Sequence, residues 1–148
     1  MLRRTINLPF ALLSILASLG ASLAGCGAAD PGHSFPLADL HDMPREVQDA
    51  PTAVQDAYRF AAANPAVLQQ LPCYCGCGSM GHTSNYACYV AGRRSETELE
   101  FDTHALGCGI CVDITLDAMR LLDEGRTVPE IKAYVDLTYS RYGPSNMP

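Results

Sequence analysis

"CGICVDITLDAMRLLDEGRTVPEIKAYVDLTYSRYG" occupies residues 108–143. Val112, Thr115, Leu116, Met119 and Leu122 step by three and four, the spacing that puts one apolar stripe on a helix. The pattern predicts an uninterrupted helix from Cys108 to Glu124, with Gly125 just past its end as a C′ residue. Thr127-Val128-Pro129-Glu130 then reads as a capping box. Ile131, Tyr134, Val135, Thr138, Tyr139 and Tyr142 continue the helical spacing until Gly143-Pro144 stops it. Two helices joined by about three residues make an antiparallel hairpin.

Upstream, Thr52 and Gln55 form a second capping-box pattern. Val54, Ala57, Tyr58 and Ala61 follow at helical spacing. Asn64-Pro65 opens a short helix that ends near Gln70. "SNYACYVAG", residues 84–92, reads as a brief helix ended by Gly92, and "RRSETELE" as a solvated polar connection. No strand signal and no internal repeat appear. The expectation is an all-α domain: a small helical unit with irregular cysteine-rich loops and the C-terminal helical hairpin.

The N-terminal stretch is of another kind. Arg3 and Arg4 precede the apolar "LPFALLSILASLGASLA", which closes on Leu23-Ala24-Gly25-Cys26. This is the layout of a secretory signal, and its ending resembles the bacterial lipobox, in which the cysteine is lipidated. Residues 1–25 are therefore read as a lipoprotein signal peptide. Residues 26–50, rich in Gly, Pro, Asp and Ala, are read as the lipidated N-terminus and a flexible tether, with one helical turn after Pro44 and solvated His33 and His41. Residues 51–148 form the cysteine-rich domain. A lipid on Cys26 anchors the protein to a bacterial membrane on its extracytoplasmic side.

Loss of Arg3 and Arg4 from the ten basic residues leaves eight against sixteen acidic ones, a formal charge of −8. That excludes a nucleic-acid partner, which needs a basic face. There is no Ser–His–Asp pattern, phosphate loop or paired-carboxylate signature to mark a catalytic residue.

The chemistry is carried by sulfur. Of seven cysteines, six remain beside Cys26: Cys73, Cys75 and Cys77 at alternate positions, Cys88, and the pair Cys108 and Cys111. An extended chain points alternate side chains one way, so the first three thiols can converge. Cys108 and Cys111 share a helix face in its first turn, where the dipole is expected to lower their pKa. His82 and His104 lie close to these clusters in sequence. Thiolate with imidazole is a ligand set for soft ions, copper(I) first and zinc second. The candidate ligands are Cys73, Cys75, Cys77, His82, Cys88, His104, Cys108 and Cys111.

Two alternatives stay open. An even number of extracytoplasmic cysteines also suits three structural disulfides in an interaction module. Cys108-x-x-Cys111 also suits thiol–disulfide exchange. A disulfide within the triplet would close a strained ring, and a chain 48% hydrophobic builds a core without staples. The soft-metal reading therefore comes first: sequestering metal or handing it on, with a metal-transfer or redox protein as a further partner.

Pro72-Cys73-Tyr74-Cys75-Gly76-Cys77, followed by Gly81-His82, Cys88 and "FDTHALGCGICVDITLDA", resembles a family of bacterial lipoproteins named for their PCYCGC motif. The resemblance covers roughly residues 52–143 and implies a secreted, membrane-anchored, cysteine-rich domain. The C-terminal hairpin is more distantly similar to the thiol-reducing subunit of cytochrome c haem lyase. Cys108, Cys111, Gly125, Glu130, Ile131, Tyr142 and Gly143 fill that family's places, though the polar stretch after its cysteines is absent. This second likeness implies redox work at Cys108 and Cys111.

Overall fold

The computed structural model describes residues 33–147. The signal peptide and Cys26 lie outside the described residues. Within them the α-helices are α1 (Arg45–Gln48), α2 (Thr52–Ala63), α3 (Pro65–Leu68), α4 (Gly109–Asp123) and α5 (Val128–Tyr139). Between α3 and α4 the chain forms short 3-10 turns and the antiparallel ribbon of β1 (Val90–Arg93) and β2 (Leu99–Phe101). No helix among the described residues is long and apolar enough to cross a membrane.

The hairpin follows from its punctuation. Gly125, at φ 79°, occupies the left-handed region at the end of α4. There the Arg126 N–H donates to the Leu121 carbonyl at 2.9 Å and the Gly125 N–H to Leu122 at 2.8 Å, closing the helix with a Schellman pattern. The Thr127 capping box forms as expected, with the Thr127 N–H and hydroxyl donating to Glu130 Oε2 at 2.8 and 2.9 Å. α5 ends at Tyr139, and a 3-10 turn carries the chain through Tyr142.

Burial corrects the apolar face of α4. Cys111, Val112, Ile114, Thr115, Ala118, Met119 and Leu121 are buried there, whereas Leu116 and Leu122 are half-buried. The face is rotated toward Ile114 and Ala118 because α4 is enclosed by both α2 and α5, not by α5 alone. On α5, Ile131, Val135 and Tyr139 are buried, whereas Tyr142, in the 3-10 turn beyond it, is exposed. Completely buried Tyr58, Phe60, Leu68, Ile114 and Ile131 form the centre of the core. Each such side chain contributes about 1.5–3 kcal/mol of transfer free energy.

Three further expectations are corrected. The domain is not all-α: "VAGR" and "LEF" pair as β1 and β2, with a bulge between Val90 and Gly92. Residues 84–92 therefore hold a 3-10 turn and most of a strand in place of a helix, and "RRSETELE" gives its ends to the two strands and residues 94–98 to their connection. A ribbon this short is stable only against packing. Tyr58 supplies it, stacking edge-on to Tyr89 at 4.9 Å and donating from its hydroxyl to the Asp102 carbonyl at 2.7 Å. Next, the stretch from residue 33 to 50 is not a free tether. Phe35, Met43 and Val47 are buried, and His33, expected in solvent, contacts Asp123 of α4 at 2.6 Å. The helical turn after Pro44 does form, as α1. Finally, Thr52 does not cap α2. Pro51 holds that place, and Gln55 Nε2 instead donates to the carbonyls of Gln48 and Ala50, tying α1 to α2.

Candidate metal centre

The sulfur nest forms where the 71–82 loop meets the start of α4. Leu71, completely buried, fixes one end of the loop, and its carbonyl accepts from the Asn85 N–H at 2.8 Å. Through Cys73-Tyr74-Cys75 the chain alternates as an extended segment does. Cys73 and Cys75 face inward with their sulfurs 3.4 Å apart. Tyr74 points the other way and donates to Asp136 Oδ1 on α5 at 2.7 Å. Gly76, at φ 85°, then turns the backbone through the left-handed region. Cys77 is thereby carried to within 3.6 Å of the Cys88 sulfur.

The two cysteine groups so distant in sequence meet here. Cys73 Sγ lies 3.3 Å and Cys75 Sγ 3.6 Å from Cys111 Sγ. Cys75 Sγ is also 3.4 Å from His104 Nε2. All eight expected ligands are brought together, in four overlapping sets whose donor atoms lie within 4.8 Å of one another. The sets are Cys75-His104-Cys108-Cys111, Cys77-His82-Cys88-His104, Cys73-Cys88-Cys111 and Cys73-Cys75-Cys77. Cys73, Cys77, Cys88 and Cys111 are buried, while Cys75, Cys108 and His104 are half-buried. The nest is therefore closed on most sides and reaches solvent along one edge. All six cysteines among the described residues are free.

The electrostatics differ from the expectation for α4. Cys108 is its N-cap and Cys111 lies in its first turn, but the Cys111 thiol is pushed far up. Its hydrogen bonds to Cys73 and Cys88 hold the proton in place, and burial adds to that. Cys73 moves the opposite way, its thiolate stabilised first by Cys111 and then by Cys88. Burial, ahead of sulfur neighbours, also raises Cys75 and Cys77. At Cys111 the neighbouring sulfurs and burial decide the direction, against that expected from the helix end.

The sequence pattern did not single out the residues that support the nest. Asp102 Oδ1 accepts from the His104 N–H at 2.7 Å, while Oδ2 lies 3.5 Å from His82 Nε2. The bond to His104 is made by its backbone amide, so the carboxylate fixes the chain at His104 and faces the ring of His82 alone. His82 is buried, and its Nδ1 has no hydrogen-bond partner. Behind Cys111, its carbonyl accepts from Tyr89 Oη at 2.8 Å and from Asn85 Nδ2 at 3.2 Å. The C-terminal tail closes another side. Asn146 Oδ1 accepts from the Cys73 N–H at 2.7 Å, and Asn146 Nδ2 reaches Cys77 Sγ at 3.5 Å. A separate cleft, lined by Met43, Val47, Leu99, Phe101 and Asp102 among others, contains none of the cysteines.

No curated protein and no solved structure matches the chain. A family model described as "Protein of unknown function with PCYCGC motif" matches residues 15–148. Its motif, Pro72 to Cys77, is the segment that supplies three of the sulfurs gathered here. The chain belongs to this PCYCGC family.

Proposed function

We propose that the protein is an extracytoplasmic lipoprotein that binds soft metal ions, copper(I) foremost and zinc second, to sequester them or hand them on. The observation that carries this reading is the partnerless Nδ1 of buried His82 beside a nest of free thiols. A buried ring nitrogen without a partner is costly. With Nε2 turned to Asp102, Nδ1 is the atom open to an ion, in the carboxylate–histidine–metal arrangement. The two all-sulfur sets, Cys73-Cys88-Cys111 and Cys73-Cys75-Cys77, suit a soft monovalent ion, and the four-member set through Cys108 also suits zinc. The membrane address rests on the Leu23-Ala24-Gly25-Cys26 ending.

The half-exposed edge of Cys75, Cys108 and His104 is where an ion enters or leaves. Thiol exchange through Cys108 and Cys111 is the weaker reading, because Cys111 is buried and its proton is held by neighbouring sulfurs. The test is metal analysis beside free-thiol counting on anaerobically purified protein. Bound metal, lost when Cys73, Cys75 and Cys77 are replaced by serine, is the expected result. Three disulfides and no titratable thiol would instead identify a stapled interaction module. Mixed disulfides with a client, lost in Cys108→Ala, would identify a thiol oxidoreductase.

A further inference from the structure

Eight donors are twice what one tetrahedral ion accepts. Their arrangement divides them further. Cys75-His104-Cys108-Cys111 and Cys77-His82-Cys88-His104 have only His104 in common. A neutral imidazole gives one lone pair to one ion, so His104 completes one of these sets. The other end keeps Cys77, His82 and Cys88, three donors around a separate point. Cys73 belongs to neither of these sets, yet it groups with Cys88 and Cys111 on one hand and with Cys75 and Cys77 on the other. A thiolate has lone pairs to spare for two ions.

The charge balance points the same way. Among the described residues, no Lys or Arg side chain hydrogen-bonds to any of the six sulfurs, whose polar contacts are other thiols, His104, Asn146 and the Ser84 carbonyl. Buried thiolates need a counter-charge. A single monovalent ion balances one thiolate, and each further thiol that ionises to become a ligand needs a further positive charge, which among the described residues only another ion supplies.

We propose that the nest holds at least two soft ions, one at the Cys77–His82–Cys88 end and one at the Cys75–Cys108–Cys111 end, bridged by the Cys73 sulfur. This rests on the soft-metal reading above and fixes its stoichiometry. Each thiol that coordinates an ion releases its proton to solvent, and the ion enters and stays as copper(I), so no oxidant or reductant is consumed.

The experiment uses the full chain in detergent under anaerobic, reducing conditions, titrated with copper(I) against a competing chelator. Native mass spectrometry counts the ions retained, and X-ray absorption detects metal–metal scattering. At least two ions per chain with a metal–metal vector are expected. Cys77→Ser/Cys88→Ser should keep one ion fewer, and Cys73→Ser should lose the vector. Circular dichroism checks that both variants keep their helices, and half-exposed Cys108→Ser serves as the milder change at the opposite end, also costing one ion. One ion per chain, or two without the vector, overturns the bridged pair while leaving the metal-binding reading intact. No retained ion overturns both.

Discussion

The sulfurs of Cys73 and Cys111 lie 3.3 Å apart across 38 residues of sequence. That contact joins the motif loop to the first turn of α4, so the nest exists only when the core has formed. Replacing Cys111 with serine should therefore weaken two donor sets at once. Retained copper(I) should fall well below that of Cys108→Ser, which touches only one set. Chelator competition on the two variants checks this.

Asp102 faces the His82 ring and accepts from the His104 backbone amide, and it belongs to none of the donor sets. Changing it to asparagine keeps the shape and removes the charge facing His82. Outer-sphere partners of this kind typically tune metal affinity by roughly 10–100-fold. We expect a loss in that range for Asp102→Asn, read by competition titration, with urea stability changed far less.

Gly76 turns the loop at φ 85°, and a Cβ there would meet nothing within 4 Å. The cost of Gly76→Ala is then the backbone strain alone, about 1–2 kcal/mol. Urea unfolding should show that loss, together with weaker metal retention, because Cys77 is aimed by this turn.

The capping box before α5 offers a control away from the nest. Thr127→Ala should cost about 1 kcal/mol in urea unfolding, and the number of retained ions should stay unchanged.

Acid should release the N-terminal segment first. The Ser34 N–H, then His33, hold the Asp123 carboxyl below its ordinary value of 3.8. A carboxyl depressed in the folded state stabilises it above that ordinary value, and the contribution is lost as pH falls through the lower folded value. Amide protection at Ser34 and Phe35 should therefore drop below about pH 4. Asp123→Ala should produce the same loss at neutral pH, measured by hydrogen exchange.

The candidate ligands were legible as a cluster because cysteine and histidine declare their chemistry by type, and because alternate positions and helix spacing fix which way they point. The hairpin was legible through Gly125 and the Thr127 box, both local signals. Asp102, Asn85, Tyr89 and Asn146 were not, since each acts on a residue far along the chain and carries no local mark. Asn146 reaches back 73 residues to Cys73. The ribbon escaped notice because Gly92 and the bulge beside it break the alternation that signals a strand, and packing on Tyr58 supplies what propensity lacks. Phe35, Met43 and Val47 were missed because single apolar residues among Pro, Gly and Asp show no periodicity.

Asn146 acts as a buckle between the tail and the motif loop. Its side chain grips the Cys73 amide and reaches the Cys77 sulfur, and Gly143 passes so close to Tyr74 that a Cβ there would sit 3.0 Å from the Tyr74 carbonyl. Trimming the chain after Tyr142 would unfasten the thiol pocket while sparing the helices.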